Sequence, residues 1–245
     1  MALVRVTLGG KRLGYVRNNK AGSTTIINYL GQLLWNEKPT YHSGTNVQDF
    51  CGQDSYIGRE KGFESYHQEL KDCEIRIAVY RDPIDKIISG FYYCQEQYPH
   101  LNNLDHFLET YQEQLKNNYI RIHCRTNTDM LGPDPRIYTH VWNMNEIDTK
   151  LLPFLEQLGG KKIQKTRLRE HTPRVITQEQ EAKAKEVMAV DYENGWCKEL
   201  ISTKILNVST TIGRRFFVPD KLTEIINDGS GSGFIIPDIP QTFSA

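Results

Sequence analysis

Two stretches of this chain each read as a strand that runs into a loop and then a helix, and both loops carry groups suited to anions. The first is Tyr15-Val16-Arg17-Asn18-Asn19-Lys20-Ala21-Gly22-Ser23-Thr24-Thr25. The second is Ile77-Ala78-Val79-Tyr80-Arg81-Asp82-Pro83, with Ser89 in the helix that follows. Two such units in one chain point to an α/β layout in which helices cover a sheet. They also point to a site that grips one ligand at two separate phosphates.

In the first stretch, Tyr15 and Val16 fit a short strand. Ile26, Ile27, Leu30, Leu33 and Leu34 then fall at helical spacing. Between them, Lys20 to Thr25 forms a loop of small residues opening a helix, where unpaired backbone N–H groups and the positive end of the helix favour an anion. Gly22 lets the backbone come close to a ligand. The hydroxyls of Ser23, Thr24 and Thr25 offer donors, and Lys20 offers a mobile cation. The order of residues is not that of a Walker A loop, in which Lys follows the glycines. A plain strand–turn–helix with a surface lysine is the competing reading of this stretch alone.

In the second stretch, Ile75 to Tyr80 reads as a mostly buried strand. Asp82 and Pro83 read as the cap and first residue of a helix carrying Ile84, Ile87, Ile88 and Phe91. Arg81 then stands at the carboxyl end of a strand, where α/β sheets place ligands. An arginine fork there and the Ser89 hydroxyl can converge on one phosphate. The competing reading pairs Arg81 with a local carboxylate and leaves Ser89 to packing.

Together these segments resemble the 5′-phosphosulfate loop and the 3′-phosphate motif of sulfotransferases that use 3′-phosphoadenosine 5′-phosphosulfate (PAPS), in the carbohydrate and membrane-associated branch of that family. The family pattern runs Pro-Lys-x-Gly-Ser/Thr-Thr, then Arg-Asp/Asn-Pro-x-x-Arg-x-x-Ser. This chain has Asn19 where Pro is usual and Lys86 where a second Arg is common. Val141 to Ile147 with Leu151 to Gly159, and Ile176 to Leu200, are similar to the family's late strand and helix and its closing helix. The resemblance covers roughly residues 12 to 200.

The resemblance implies an α/β fold with a P-loop-like, mostly parallel sheet flanked by helices. It implies a sulfuryl transfer from PAPS to a hydroxyl acceptor, a small molecule or a glycan, with no metal. Lys20, Ala21, Gly22, Ser23, Thr24 and Thr25 would hold the 5′ end of the donor, and Lys20 would act on the leaving oxygen. Arg81 and Ser89 would hold the 3′-phosphate. Of the seven histidines, His67 lies in a Tyr-His context resembling that of a catalytic histidine in some members, and a group titrating near neutral pH suits a proton acceptor. Glu64 and His42 are the next choices, and a structural role for His67 stays open. Two other functions remain: a P-loop-like kinase or phosphotransferase, and a non-catalytic nucleotide-binding protein of the same fold.

Composition narrows the rest. The 30 basic and 30 acidic residues cancel, so no broad charged surface for nucleic acid is expected. No run reaches the roughly 18 apolar residues of a membrane span, and the N-terminus does not read as a signal peptide, so a soluble, cytoplasmic protein is expected. Five cysteines lack metal-binding spacing and suit a reduced protein. Residues 1–227 are expected to form one domain, and 228–245 a Gly/Ser linker with an apolar tail. Residues 36–66 and 122–140 read as irregular, and 101–118 as a helix. Lys161 to Arg174 reads as a solvated basic run or as a cover over the nucleotide, with Arg167 and Arg169 as candidates. Trp35, Tyr41, Tyr56, Tyr92, Tyr93 and Trp142 are core residues or stacking groups for an acceptor.

Overall fold

The computed structural model describes residues 3–34, 56–57, 63, 66–165 and 174–197. The expectations for Trp35, Tyr41, His42, Glu64, Arg167, Arg169, the side chain of Tyr56 and the tail from 228 lie outside the described residues.

In chain order the elements are β1 (Leu3–Leu8), β2 (Lys11–Val16), α1 (Ser23–Leu34), β3 (Tyr56–Ile57), α2 (His67–Lys71), β4 (Ile75–Tyr80) and α3 (Pro83–Gln97). There follow α4 (Leu104–Glu109), α5 (Tyr111–Gln114), α6 (Asn118–Cys124), α7 (Asn127–Leu131) and β5 (His140–Asn143). A 3₁₀ turn (Met144–Glu146) and a π-type turn (Ile147–Leu151) then lead into α8 (Leu152–Gly159), α9 (Gln178–Val187) and α10 (Ala189–Glu193).

The sheet has five strands in the order β3-β1-β2-β4-β5, the outermost β3 being only two residues long. β2, β4 and β5 run parallel, while β1 is antiparallel to both β2 and β3. The sheet is therefore mixed, and the expectation of a mostly parallel sheet is corrected for its β3-β1-β2 half. The cause is local. Gly9 and Gly10 have φ of 55° and 75°, and two positive-φ residues make the tight turn that folds a strand back on its neighbour. The β2-to-β4 and β4-to-β5 connections carry helices, as a parallel neighbour requires.

Strand alternation builds two cores. Leu13 and Tyr15 of β2 and Ile75, Ile77 and Val79 of β4 face α1 and α8, meeting Ile26, Ile27, Leu30 and Leu155. Val16, Ala78 and Tyr80 face the other way, against Tyr66, Leu70, Met130, Leu131, Tyr138 and Trp196. Trp196 is fully buried, and its indole N–H donates to the Gly132 carbonyl at 2.7 Å. A third cluster, Ile87, Phe91, Phe107, Ile120 and Met188, joins α3 to α4, α6 and α9.

Two element boundaries differ from expectation. The helix expected over 101–118 is broken at Thr110, whose hydroxyl donates to the His106 carbonyl at 2.7 Å, a local bond that competes with helix continuation. The stretch 122–140 is less irregular than its composition implies. Thr126 accepts the Asp129 N–H at 2.9 Å and caps α7, which ends at Gly132 with φ of 87°. Among the described residues, no helix is long and apolar enough to cross a membrane. Cys73, Cys94 and Cys124 are buried free thiols, and Cys197 is buried as well.

Candidate functional site

The loop between β2 and α1 is shaped by backbone conformation. Lys20 has φ of 63° and Gly22 φ of 74°, and the Ala21 N–H turns back to the Asn18 carbonyl at 3.3 Å. For a lysine the left-handed region costs about 1–2 kcal/mol, so other contacts must hold it there. The surroundings supply them. The Lys20 ammonium lies 4.0 Å from the centre of the Tyr93 ring, and the Lys20 carbonyl accepts from Arg81 Nη1 at 3.2 Å. Next door, Asn19 Nδ2 donates to the Ile122 carbonyl at 3.0 Å.

Gly22 is constrained from above as well. A Cβ at this position would lie 2.4 Å from Ile147 Cδ1. The helix begins immediately after, with Ser23 buried and Thr24 and Thr25 half-buried. Ile26 is the first N–H to find an acceptor, the Gly22 carbonyl at 3.2 Å. The first-turn N–H groups of Ser23, Thr24 and Thr25 therefore have no acceptor within the helix.

The second loop leaves β4 beside the first, because β2 and β4 are parallel neighbours. Asp82 accepts the Ile84 and Asp85 N–H groups at 3.0 and 3.3 Å, with Pro83 at the first helical position, as the sequence predicts. Burial lowers the Arg81 pKa from its ordinary value, opposed by Asp85 and Asp82; an arginine stays charged regardless. Among the described residues, Arg81 Nε and Ser89 Oγ are both enclosed without a hydrogen-bond partner. Buried donors are normally satisfied, so two left open, one just after β4 and one in the helix that follows, are groups that an added anion would complete. The donor set fits a phosphate of the kind PAPS carries on its ribose.

Lys20, Arg81 and Ser89 thus lie on adjoining loops and one helix. His67 is placed differently. It begins α2, its ring centre is 4.8 Å from that of Phe63, and its buried Nε2 has no hydrogen-bond partner among the described residues. The preceding Tyr66 packs with Val16 and Tyr80, which puts this end of α2 beside the carboxyl ends of β2 and β4. No hydrogen bond or ring contact among the described residues joins His67 to the Lys20 loop.

Several groups stand around these loops that the motif reading gave no role in binding. α6 presses onto α3 where Gly90 leaves room, since a Cβ there would meet the His123 carbonyl at 2.6 Å and Cys124 Sγ at 2.9 Å. This brings Tyr119 and His123 against Tyr93, with ring centres 6.1 and 4.5 Å away. The Tyr93 ring beneath the Lys20 ammonium is therefore itself backed by two further rings. Lys86, on α3 one turn before Ser89, is only 1% exposed, and its Nζ has no hydrogen-bond partner among the described residues. Burial pulls its pKa down to about 8, with Asp191 and Asp129 opposing. Trp142 packs with His140 and Phe154 beside the first core, so it is a packing residue. Of the basic run, Lys161 Nζ donates to the Gln32 carbonyl at 2.9 Å, and the Arg174 guanidinium lies 4.6 Å from the Tyr92 ring centre. Both ends of that run are thereby tied to helices of the site.

The comparisons with known proteins agree with the motif resemblance. The family model described as the sulfotransferase family matches residues 8–205, and the chain belongs to that family. Neither the curated proteins nor the solved structures gave a match.

Proposed function

We propose that this member of the sulfotransferase family transfers a sulfuryl group from PAPS to a hydroxyl acceptor, with a carbohydrate as the acceptor class to test first. The observation that carries the reading is the pairing of two open donors, Arg81 Nε and Ser89 Oγ, with a left-handed Lys20 loop tied to Arg81. A site for two phosphates on one ligand needs both halves, and a nucleoside diphosphate would leave the Arg81 half unused.

When bound, the donor supplies the sulfuryl group and a phosphate leaving group. In this reading the N–H groups opening α1, with the hydroxyls of Ser23, Thr24 and Thr25, hold its 5′ end. Ala21 and Gly22 bring the backbone close enough for those bonds. Lys20 neutralises the charge that builds on the leaving oxygen, and its resting place over Tyr93 keeps it within the site. Arg81 and Ser89 hold the 3′-phosphate and orient the donor. The proton of the acceptor hydroxyl goes to a histidine. His67 is the first choice on sequence grounds. His123 is the second, favoured by its ring contact with the tyrosine that carries Lys20. Tyr93 and Tyr119 are half-buried and stacked within 10° of parallel, and offer a face on which an acceptor ring can lie.

The test is calorimetric titration with 3′-phosphoadenosine 5′-phosphate (PAP), with ADP and AMP as controls. PAP binding well above ADP supports the reading and justifies an acceptor screen with PAPS. ADP binding as tight as PAP favours a phosphotransferase, and no binding by any of them removes the nucleotide site.

A further inference from the structure

Behind the two anion loops runs a chain of buried amides that starts inside the first stretch, at Asn18, and leaves it for Asn127. Asn18, fully buried just beyond β2, donates through Nδ2 to the Val79 carbonyl at 3.0 Å and to Asn127 Oδ1 at 2.9 Å. Asn127, also fully buried, donates through its own Nδ2 to the Arg81 carbonyl at 2.9 Å. One side chain therefore touches the residue two before Lys20 and the backbone of Arg81 itself. Asn127 is in turn fixed by α10. The buried Asp191 carboxylate accepts the Asn127 N–H at 2.7 Å and the Thr128 N–H at 2.6 Å, with Lys86 as a nearby countercharge.

These bonds hold backbone, not ligand. Their geometric effect is to set the separation between the β2–α1 loop and Arg81. We propose that Asn127 is a positioning residue that fixes the spacing of the two anion sites, so that a ligand carrying both phosphates engages them at once. The inference rests on the reading of those loops as a PAP-type site. A two-phosphate ligand gains over a one-phosphate ligand because its second contact is made within the complex, and that gain depends on geometry. Loss of the spacing erodes the gain and leaves each single contact largely intact.

The experiment compares wild type, Asn127→Ala and the isosteric Asn127→Asp, which keeps an acceptor for Asn18 and loses the donor to Arg81. PAP, adenosine 5′-phosphate and adenosine 3′-phosphate are each titrated. Asn127→Ala is expected to weaken PAP about tenfold or more while changing either monophosphate by about threefold or less, and Asn127→Asp, which sets a carboxylate oxygen against the Arg81 carbonyl, is expected to show the same selectivity. Equal losses for all three ligands would make Asn127 an ordinary structural residue and overturn the proposal. If Asn127→Ala does not fold, Asn127→Asp carries the same comparison. If wild type binds none of the three, the nucleotide reading fails, and hydrogen exchange judges the clamp by itself. Faster exchange in Asn127→Asp at residues 18–25 and 80–89 together, with 104–114 unchanged, upholds a shared tether; faster exchange in only one loop, or in neither, refutes it.

Discussion

Gly22→Ala separates two reasons for glycine in the β2–α1 loop. The first is backbone conformation. At φ of 74° an alanine pays about 1–2 kcal/mol. The second is space. The new Cβ would stand 2.4 Å from Ile147 Cδ1, while its other neighbours, Met144 Cγ at 3.4 Å and Ile147 Cγ1 at 3.9 Å, are at ordinary contact distance. Ile147 is buried in the core facing α1, so its terminal methyl has little room to retreat, and overpacking of this kind costs about 1–3 kcal/mol. Gly22→Ala should therefore destabilise by about 2–5 kcal/mol in total. Ile147→Val removes the one clashing atom, at a cost of about 0.5–1.5 kcal/mol by itself. In that background Gly22→Ala should cost only the backbone part, about 1–2 kcal/mol. Urea denaturation of the four proteins of this cycle measures the difference, provided the dependence on urea is unchanged. If Gly22→Ala costs the same in the wild type and in the Ile147→Val background, the space argument is wrong and only φ demands glycine here.

Three further outcomes are expected. Arg81→Ala should weaken PAP by about 1.5–3 kcal/mol, as for a lost charged hydrogen bond, and an unchanged affinity would contradict the 3′-phosphate assignment. Alanine at His67 and at His123, tested separately, should identify the proton acceptor as the variant that loses turnover but keeps PAP binding; full activity in both would send the search to Glu64 and His42. His140 governs part of the acid limb of stability. Burial lowers its pKa from 6.5 to about 4, so as pH falls below 6.5 the unfolded chain takes up a proton that the folded chain refuses. Its contribution is complete above 6.5 and is lost towards pH 4, by about 3 kcal/mol. His140→Asn should flatten urea stability across that window, and an equally steep fall in the variant would exclude His140 as the cause.

What was legible in the sequence was mostly local. The Asp82-Pro83 start, the stripe Ile26-Ile27-Leu30, and the strand–loop–helix character of both segments depend on residues near one another, and the structure has them as read. The family followed from the same short motifs. The β1–β2 hairpin was available in Gly9-Gly10 but carries no chemistry, and it decides the sheet's polarity. The break at Thr110 hangs on one side-chain hydrogen bond inside an otherwise good helical stripe. Lys86 stood out only as a substitution for arginine, because burial of a lysine is a property of the packed molecule. Asn18 stood inside the first stretch and Asp191 inside the closing-helix match, but neither was read as a tether to Asn127, since these partners are brought together only by the fold.

That last group also bears on how the chain comes to be folded. The bond from Asn18 to Asn127 spans 109 residues, and the one from Asn127 to Asp191 a further 64. As the polypeptide emerges from the ribosome, the first anion loop is made early, yet its anchor arrives much later and the anchor's own support later still. Contacts of such separation are slow to form, because closing the intervening chain costs entropy before they are gained. A nascent chain stopped short of Asp191 would carry every residue of both phosphate motifs and still lack the framework that sets them at a working distance.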